Sequence, residues 1–567
     1  MKKGIFYLFL ALLLSIIITV GCSSHVMELA DSEASVIEEF TVFSFGGPPW
    51  GVEHMDDPIG RAISERTGVR LVYDWPVGEW SDALELMIAS RDFPDIIVHE
   101  SATLRRLVEA GALLPLREKI ENAPNISGYL GEYINRLSFS MEDREIYAFG
   151  HARLINNVLP SVFTETGFSV QFDVLEQAGW PLIKSLQDFE NIVANHKAAH
   201  PIINGQPSIG ITFSAADSRL WRHSLISPML GAMGMTYDGQ WHVDPVSFRV
   251  SSVFRRPEPR EYFRWLNHLH HIGLLDPESF IQSHETFLSK IASGRVIGVI
   301  DAMWKFDAAR LEAVASFGEK RDFMAFPALM DPENTVWKIM QCRGLVQSGG
   351  YSITIACRDP DKIVSFFDFL ASDEGQILKA FGVENVHHTV ENGLRLWTPK
   401  VLEAFNDPNI NFLEFRNLFG LNKYSDPGLL TPGIGYRLFD GSLLNKSDEM
   451  SFYNDQITDF YRNVLDIYGL IGFNMLFPQA CEFPDLPYPN IWELPLGKTE
   501  ETMTIMQAYV EMQLRNIARA VLAAPEDFDA KWDMFLNELE AINISLLEEE
   551  ATQLLRERMI MWGTYTN

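Results

Sequence analysis

Near its start, the chain alternates between segments with the apolar spacing of a β-strand and segments with that of an α-helix. This alternation limits the folds that the chain can adopt. Strand-type segments occur in the order "FTVFSFGG", "VRLVYDW" and "DIIVHE". Each is followed by an amphipathic helix-type segment, namely "DPIGRAISERTG", "SDALELMIAS" and "SATLRRLVEAG". Strands that alternate with helices form a parallel sheet covered by helices. This region therefore predicts an α/β fold, in which ligands bind beyond the carboxyl ends of the strands.

Several residues in the helix-type segments have predicted structural roles. Gly68 suits the left-handed position that follows a helix end, and Ser81 is predicted to cap the start of the second helix. Phe366, Phe367 and Leu370 form an apolar stripe at helical spacing, which indicates helix core rather than a binding site.

The first 38 residues are typical of an export and anchoring segment. Two lysines precede an uninterrupted apolar stretch that ends at a Gly-Cys pair. Its last residues, "TVGC", resemble a bacterial lipobox, with Thr19 in place of the usual leucine. This resemblance implies a lipoprotein signal peptide over 1–21, then an acylated Cys22 and a flexible tether over 22–38. The alternative is an uncleaved anchor helix. Both alternatives place the folded part outside the cytoplasm and held at a membrane. The expected location is the extracellular face of the cell membrane in a Gram-positive-like bacterium.

Composition limits the classes of protein to which the chain can belong. With 567 residues, of which 47% are hydrophobic, the chain is long and apolar enough for two or more globular lobes. Its formal net charge of −30 would repel nucleic acid phosphates and anionic lipid headgroups. No nucleic acid partner is therefore expected.

The cysteines are not expected to form a complete framework of disulfides or a zinc site. If Cys22 is lipidated, then Cys342, Cys357 and Cys481 remain, and an odd number cannot pair completely. A bond between Cys342 and Cys357 is one alternative, and buried free thiols are the favoured one. No two cysteines have the close spacing of a zinc site.

Three motifs, "RTGV", "ASRDFPD" and "GALLPL", follow one another in the first lobe-sized part of the chain. In this order they resemble family 1 extracellular solute-binding proteins, especially the large lipoprotein members found with oligosaccharide ABC importers in Paenibacillus-like bacteria. Later segments such as "SGRVIGVIDAMW" and "GGYSITIACRDPDKIVSFFDFLASDEGQILKAFGVENVHH" keep the family's order over nearly the whole chain. Arg91 stands where the family has glycine, and Gln171 and Ser185 stand where it has arginine and threonine. Asp173 is retained.

The resemblance implies a two-lobed fold of the type II periplasmic-binding-protein kind, with hinge-linked lobes and a helical C-terminal extension. Lobe 1 is predicted to comprise residues 39–153 plus about 301–350. Lobe 2 is predicted to comprise about 154–300 plus 351–567.

The segments that cross between the lobes are predicted near residues 150–160, 300–310 and 345–365. The resemblance also implies that the protein is a monomeric receptor without a cofactor, which hands its ligand to ABC permease subunits in the membrane. A ligand that touches both lobes would then favour their closed arrangement.

Motifs of the common enzyme classes are missing from the sequence. It contains no G-x-S-x-G, no G-x-x-x-x-G-K, no H-E-x-x-H and no G-x-G-x-x-G after a strand. His268 and His271 lie one helical turn apart, and His387 and His388 are adjacent. Both pairs are interpreted as structural, and no metal or catalytic residue is predicted. Among the 76 carboxylates, no two stand out as the pair that glycoside hydrolysis requires.

A carbohydrate site places aromatic rings beside polar side chains, because sugars combine apolar C–H faces with many hydroxyls. The predicted loops at the carboxyl ends of the first strands carry the candidates Phe45, Trp50, Trp75, Glu79, Trp80, His99 and Glu100. Later loops carry the candidates Asp217, Trp221, Asp301, Trp304, Tyr351, Tyr436 and Asp440. For any one aromatic residue, packing in a core is the alternative. At least three of the set are expected to line the cleft.

The favoured hypothesis is therefore a lipid-anchored receptor that binds an extracellular oligosaccharide for an ABC transporter. Two alternatives stay open from the sequence. One is a surface-anchored glycoside hydrolase, and the other is a receptor for a peptide or a metal chelate.

Overall fold

The computed structural model describes most of the chain between Val36 and Thr566. The described residues are 36–45, 54–77, 80–153, 166–216, 221–236, 238–338, 344–346, 349–391, 394–405, 410, 412–421, 423–424, 429–431, 437–438, 444, 458–470, 472–478, 482–484 and 486–566. The predicted signal peptide and Cys22 lie outside them. Within the described residues, no helix has both the length and the apolarity that crossing a membrane requires.

The strands are short, and half of the described strands belong to two separate four-stranded sheets. In chain order they are β1 (Glu38–Ser44), β2 (Val69–Asp74), β3 (Ile96–Glu100), β4 (His151–Arg153), β5 (Thr166–Gln171), β6 (Ile202–Ile203), β7 (Gln206–Pro207), β8 (Ile209–Thr212), β9 (Trp241–Val243), β10 (Val250–Ser252), β11 (Val296–Ala302), β12 (Phe323–Phe326), β13 (Gly344–Val346), β14 (Gly349–Ile353), β15 (His388–Glu391) and β16 (Leu394–Trp397).

Helices make up much of the remaining structure. The α-helices are α1 (Pro58–Thr67), α2 (Trp80–Ser90), α3 (Ser101–Glu109), α4 (Arg117–Asn122), α5 (Pro124–Leu130), α6 (Phe172–Gln177), α7 (Leu186–Ala199), α8 (Trp221–Ala232), α9 (Pro257–His271), α10 (His284–Ala292), α11 (Asp307–Phe317), α12 (Pro360–Ala371), α13 (Asp373–Phe381), α14 (Pro399–Phe405), α15 (Phe412–Phe419), α16 (Asp459–Tyr468), α17 (Glu500–Val521), α18 (Phe528–Ala541) and α19 (Ile544–Trp562).

The first sheet has the strand order β14-β3-β1-β2. Strand β1 pairs in parallel with β2 and with β3, which confirms the predicted alternation of strands and helices. Helix α1 ends at Gly68, which has a φ of 67° as predicted. Helix α2 already begins at Trp80, so Ser81 lies inside its first turn and is not the N-cap.

The second sheet has the strand order β12-β5-β11-β8. Strand β11 is buried along its whole length, and it pairs in parallel with β8 on one side and antiparallel with β5 on the other. Helix α7 packs its buried face in the same lobe. It starts with a capping box, in which Ser185 and Asp188 each accept a hydrogen bond from the other's backbone N–H at 3.0 Å.

The division of the chain between the lobes differs from the prediction. Residues near 300–310 do not cross, because β11 and then β12 both pair within the second sheet. Strand β14 instead returns to the first sheet, where it pairs antiparallel with β3. The first core accordingly continues from Tyr351 to Leu430, and the second core resumes at Val464.

A two-stranded antiparallel ribbon, formed by β4 and β13, connects the two sheets. Glycines stand where this ribbon joins the first sheet. A Cβ atom on Gly349 would lie 2.1 Å from the carbonyl oxygen of His99, and one on Gly350 would lie 3.0 Å from the amide nitrogen of Gly150. Gly349 and Gly350 also have φ values of 121° and 129°, so glycine is required at this close approach.

The three C-terminal helices, α17 to α19, pack into the second core, as the predicted helical extension requires. The last helix also contacts the first lobe. The Arg136 guanidinium lies 4.0 Å from the ring centre of Trp562 and 4.5 Å from that of Tyr133. Arg558 donates hydrogen bonds to the carbonyl oxygens of Ser138 and Phe139 at 2.7 and 3.0 Å.

Candidate functional site

The ends of the crossing segments identify which edges of the two sheets are joined. Strand β14 enters the first sheet at Gly349, which is paired with Glu100, the last residue of β3. Strand β5 enters the second sheet at Thr166, which is paired with Ala302, the last residue of β11. The crossing segments therefore meet both sheets where their parallel strands end, which is where ligands of such sheets bind. We refer to these as the first and second site edges.

Aromatic rings lie together at the first site edge. Phe45 directly follows β1 and packs edge-on against Phe43 at 5.1 Å and Trp80 at 6.4 Å between ring centres. Phe45 is almost fully buried, whereas Trp80 is 40% exposed. Trp75 directly follows β2 and is partly buried against the first core. Trp80 and Trp75 are thus the described tryptophans here, and both retain exposed surface.

Two other residues predicted to bind ligand at this edge have buried side chains. The ring of His99 is buried, and its Nε2 lies 2.6 Å from the Ser352 hydroxyl. Burial lowers the pKa of His99 to about 4, which keeps the ring neutral at pH 7. Tyr351 has no exposed surface, and its hydroxyl lies 3.0 Å from that of Tyr73. Glu100, at the end of β3, is exposed.

The second site edge carries an exposed tryptophan beside a histidine. Trp304 follows β11 and is 42% exposed. The His223 ring, in the first turn of α8, lies edge-on to it with 5.2 Å between ring centres and 78° between ring planes. Trp221, at the start of the same helix, is buried in the second core.

A buried ion pair lies directly behind Trp304. Lys305 Nζ is 3.0 Å from the Asp301 carboxylate, and neither side chain is exposed. The Ser214 amide and the Ser224 hydroxyl donate to the same carboxylate at 3.1 and 2.9 Å. Burial raises the pKa of Asp301, while Lys305 and these hydrogen bonds oppose the shift. The carboxylate therefore joins β11 to the start of α8 and is closed to a ligand in this structure.

The predicted residues Trp50, Glu79, Asp217, Tyr436 and Asp440 lie outside the described residues. Of the remaining nine predicted residues, Trp75, Trp80, Glu100 and Trp304 combine exposure with a position at a site edge. Sequence reasoning did not select His223 or Lys305. The i, i+4 spacing of Asp301 and Lys305 is a signal of pairing, and the position of His223 just after Trp221 is a weaker one.

The histidines and cysteines that the sequence analysis interpreted as structural are described in part. His268 lies 3.2 Å from Glu190, and the buried His387 accepts a hydrogen bond from the Val383 amide at 2.9 Å. Cys357 has a free thiol whose pKa burial raises to about 11. Cys342 lies outside the described residues. Among the side chains that the structure describes, no three His, Cys, Asp or Glu residues meet as metal ligands would.

Comparison with known proteins gives matches among solved structures only. No protein-family model matches the sequence, and no curated protein does. The alginate-binding protein AlgQ2 without calcium ion has a TM-score of 0.61 at 16% identity, and the match covers 94% of this chain and all of that one. The S. pneumoniae ABC-transporter substrate-binding protein FusA in complex with kestose has a TM-score of 0.62 at 14% identity, over 91% and 98% of the two chains.

This chain has the two-lobed fold of extracellular solute-binding proteins. A third such structure, a solute-binding protein from Bifidobacterium longum infantis named as binding HMO and associated with an ABC transporter, matches with a TM-score of 0.61 at 14% identity. That match covers 93% of this chain and 99% of the other. The names of these three structures describe binding, of alginate, kestose and HMO respectively, and two of the three names also mention an ABC transporter.

Proposed function

We propose that this protein binds an extracellular oligosaccharide between its two lobes and delivers it to the permease of an ABC transporter. The observation that carries the proposal is the presence of exposed tryptophan rings at both site edges, Trp80 in the first lobe and Trp304 in the second. Flat aromatic faces stack on the apolar faces of sugar rings. Two such faces on opposite lobes give one ligand contacts with both.

Polar groups at the same edges supply the hydrogen bonds that sugar hydroxyls need. Glu100 is exposed at the end of β3, on the first site edge. A ligand that contacts both lobes stabilises the closed arrangement by its additional contacts there. We expect the lobes to rotate about a hinge at Gly349 and Gly350, where the β4–β13 ribbon joins the first sheet.

Names of the neighbouring structures support a sugar ligand and a transporter partner. They include an alginate-binding protein, a complex with kestose and a protein that binds HMO. We further propose that the mature protein is held at the extracellular face of the membrane by acyl chains on Cys22, as in the lipoprotein members that the sequence resembles. Two or three acyl chains give stable anchoring, because each buried methylene contributes about 0.8 kcal/mol.

The direct test is thermal unfolding of the full-length protein in detergent with a panel of oligosaccharides, followed by analysis of the recovered sugar. The panel contains kestose, nystose, and alginate-, malto- and xylo-oligosaccharides, with the corresponding monosaccharides as controls. A ligand at a hundredfold excess over its Kd stabilises the folded state by about 2.7 kcal/mol. A shift with intact sugar recovered supports the proposal. Cleaved sugar would instead identify a hydrolase, and a response to peptides alone would identify a peptide receptor.

A further inference from the structure

The corner between His223 and Trp304 is a feature of the second site edge that sequence reasoning did not select. The two rings meet at 78°, with 5.2 Å between their centres. Both residues follow the carboxyl ends of parallel strands, because Trp304 comes after β11 and helix α8 comes after β8. The corner therefore has one flat apolar wall and one wall that carries ring nitrogens.

The ring nitrogens of His223 face no polar partner within the described part of the chain. Among the described residues, neither nitrogen forms a hydrogen bond, and the side chain is only partly buried. His99, at the first site edge, differs in this respect, since its ring is buried and hydrogen-bonded to Ser352. A partly exposed donor and acceptor beside an exposed indole is arranged for a ligand rather than for packing.

The charged groups around His223 favour its neutral form. Burial, Lys305 and Arg222 together lower the pKa of His223 to about 4. Asp301 is the counterion of Lys305 and lies behind the corner. A neutral imidazole has one N–H donor and one acceptor nitrogen, which suits a hydroxyl group that both donates and accepts.

The fold holds both walls of the corner in place. Lys305 is the chain neighbour of Trp304, and Ser224 is the chain neighbour of His223. Lys305 Nζ donates a hydrogen bond to the Ser224 hydroxyl at 2.7 Å, and both side chains are buried. One buried bond thus joins the segments that carry the two rings, which fixes their relative position before a ligand arrives.

We infer that His223 and Trp304 form one sugar subsite, in which the indole stacks on a sugar ring and the imidazole hydrogen-bonds a hydroxyl at the rim of that ring. This inference rests on the proposed function and adds a specificity-determining residue to it. It predicts a hydroxylated sugar unit rather than an apolar or purely anionic group at this position.

The test is isothermal titration calorimetry of full-length His223→Ala, His223→Gln and His271→Ala with the panel sugar that binds the wild type most tightly. Loss of a hydrogen bond at a buried polar contact predicts an affinity about tenfold lower for His223→Ala. His223→Gln keeps a neutral donor and acceptor and is expected to stay within about threefold of the wild type. His271 is an exposed histidine at the end of α9 in the same lobe, and its replacement should have no effect.

Two further readouts separate a ligand contact from a folding defect. The thermal midpoints of the ligand-free variants should match that of the wild type, and wild-type affinity should be the same at pH 7.5 and 5.5, because His223 stays neutral over this range. Unchanged affinity in His223→Ala would overturn this inference and leave the proposed function standing. Failure of the wild type to bind any panel sugar would overturn both.

Discussion

Lys305 Nζ lies 3.0 Å from the carboxylate of Asp301, and neither side chain has any exposed surface. Removing two charges from water is costly, and the pair is stable because Ser214 and Ser224 supply further hydrogen bonds. The pair sits between the last residues of β11 and the start of α8. It therefore stabilises the part of the second lobe that carries Trp304 and His223.

We expect Lys305→Met to lower the free energy of unfolding by about 3 to 5 kcal/mol, because it leaves the Asp301 charge buried without a partner. Adding Asp301→Asn to that variant should restore most of the loss. The control is Lys320→Met, which removes an exposed pair with Glu176 and should cost less than about 1 kcal/mol. Urea unfolding measures all three, and equal losses in the two single variants would contradict the account.

Acid is expected to destabilise the first lobe through His99. The unfolded chain binds a proton at this residue near pH 6.5, whereas the folded chain binds it only near pH 4. Protonation thus favours unfolding as the pH falls through this window, with a full effect of about 3 kcal/mol. His99→Gln should flatten this part of the stability curve, and His271→Gln should not.

The pH dependence of wild-type stability alone does not isolate His99, because the buried carboxyl of Asp238 changes stability with pH in the opposite direction. Burial raises the pKa of Asp238 from 3.8 to about 6, so the free energy of unfolding falls as the pH rises between these values, and the full penalty applies above about 6. Asp238→Asn is therefore expected to raise the thermal midpoint above that of the wild type, and to do so by more at pH 7.5 than at pH 5. An identical shift at both pH values would show that Asp238 does not titrate in this range.

Arg91 is expected to be a strained residue. It directly follows α2 with a φ of 57°, and its amide donates to the Met87 carbonyl at 3.0 Å, as at a helix end. A Cβ atom disfavours this left-handed conformation by roughly 1–2 kcal/mol, part of which the flexibility of unfolded glycine offsets. Arg91→Gly should therefore stabilise the protein by about 0.5 to 1 kcal/mol in thermal unfolding. Arg91→Ala retains the Cβ atom and should give no such gain.

The last helix is expected to hold residues 131–139 of the first lobe in place. Arg558→Met removes the donors to the Ser138 and Phe139 carbonyl oxygens, so amide hydrogen exchange in this region should become faster. Arg556→Met is the matched control, because Arg556 donates to Ser247 within the second lobe. Mass spectrometry of the exchanged peptides should show the change in the first variant only.

The order of elements in the first lobe could be predicted from the sequence because its apolar periods are regular. Strand β1, helix α1 and strand β2 each occur where the pattern places them, and Gly68 ends α1 in the left-handed conformation. With Ser81 as the predicted cap, the first helical residue of α2 was placed at Asp82, two residues after its observed start at Trp80. Helix ends are less certain than helix interiors, since a capping residue is recognisable only when its backbone conformation is known.

The division between lobes was harder to predict, because it depends on pairing between distant strands. Residues 296–302 look like any short buried strand in the sequence, and only their pairing with β5 and β8 keeps the next segment in the second lobe. The site shows the same limit. Asp301 and Trp304 are three residues apart, yet Asp301 is fully buried in an ion pair whereas Trp304 is exposed at the site edge.

The most direct test of a ligand held between two lobes is the affinity of Trp80→Ala and Trp304→Ala for the same oligosaccharide, measured by isothermal titration calorimetry on the full-length protein. Each ring lies at a different site edge, so each replacement is expected to weaken binding by about tenfold or more. Trp80→Phe and Trp304→Phe retain a stacking face and should lose less. If either alanine variant binds as tightly as the wild type, the ligand does not bridge these two edges.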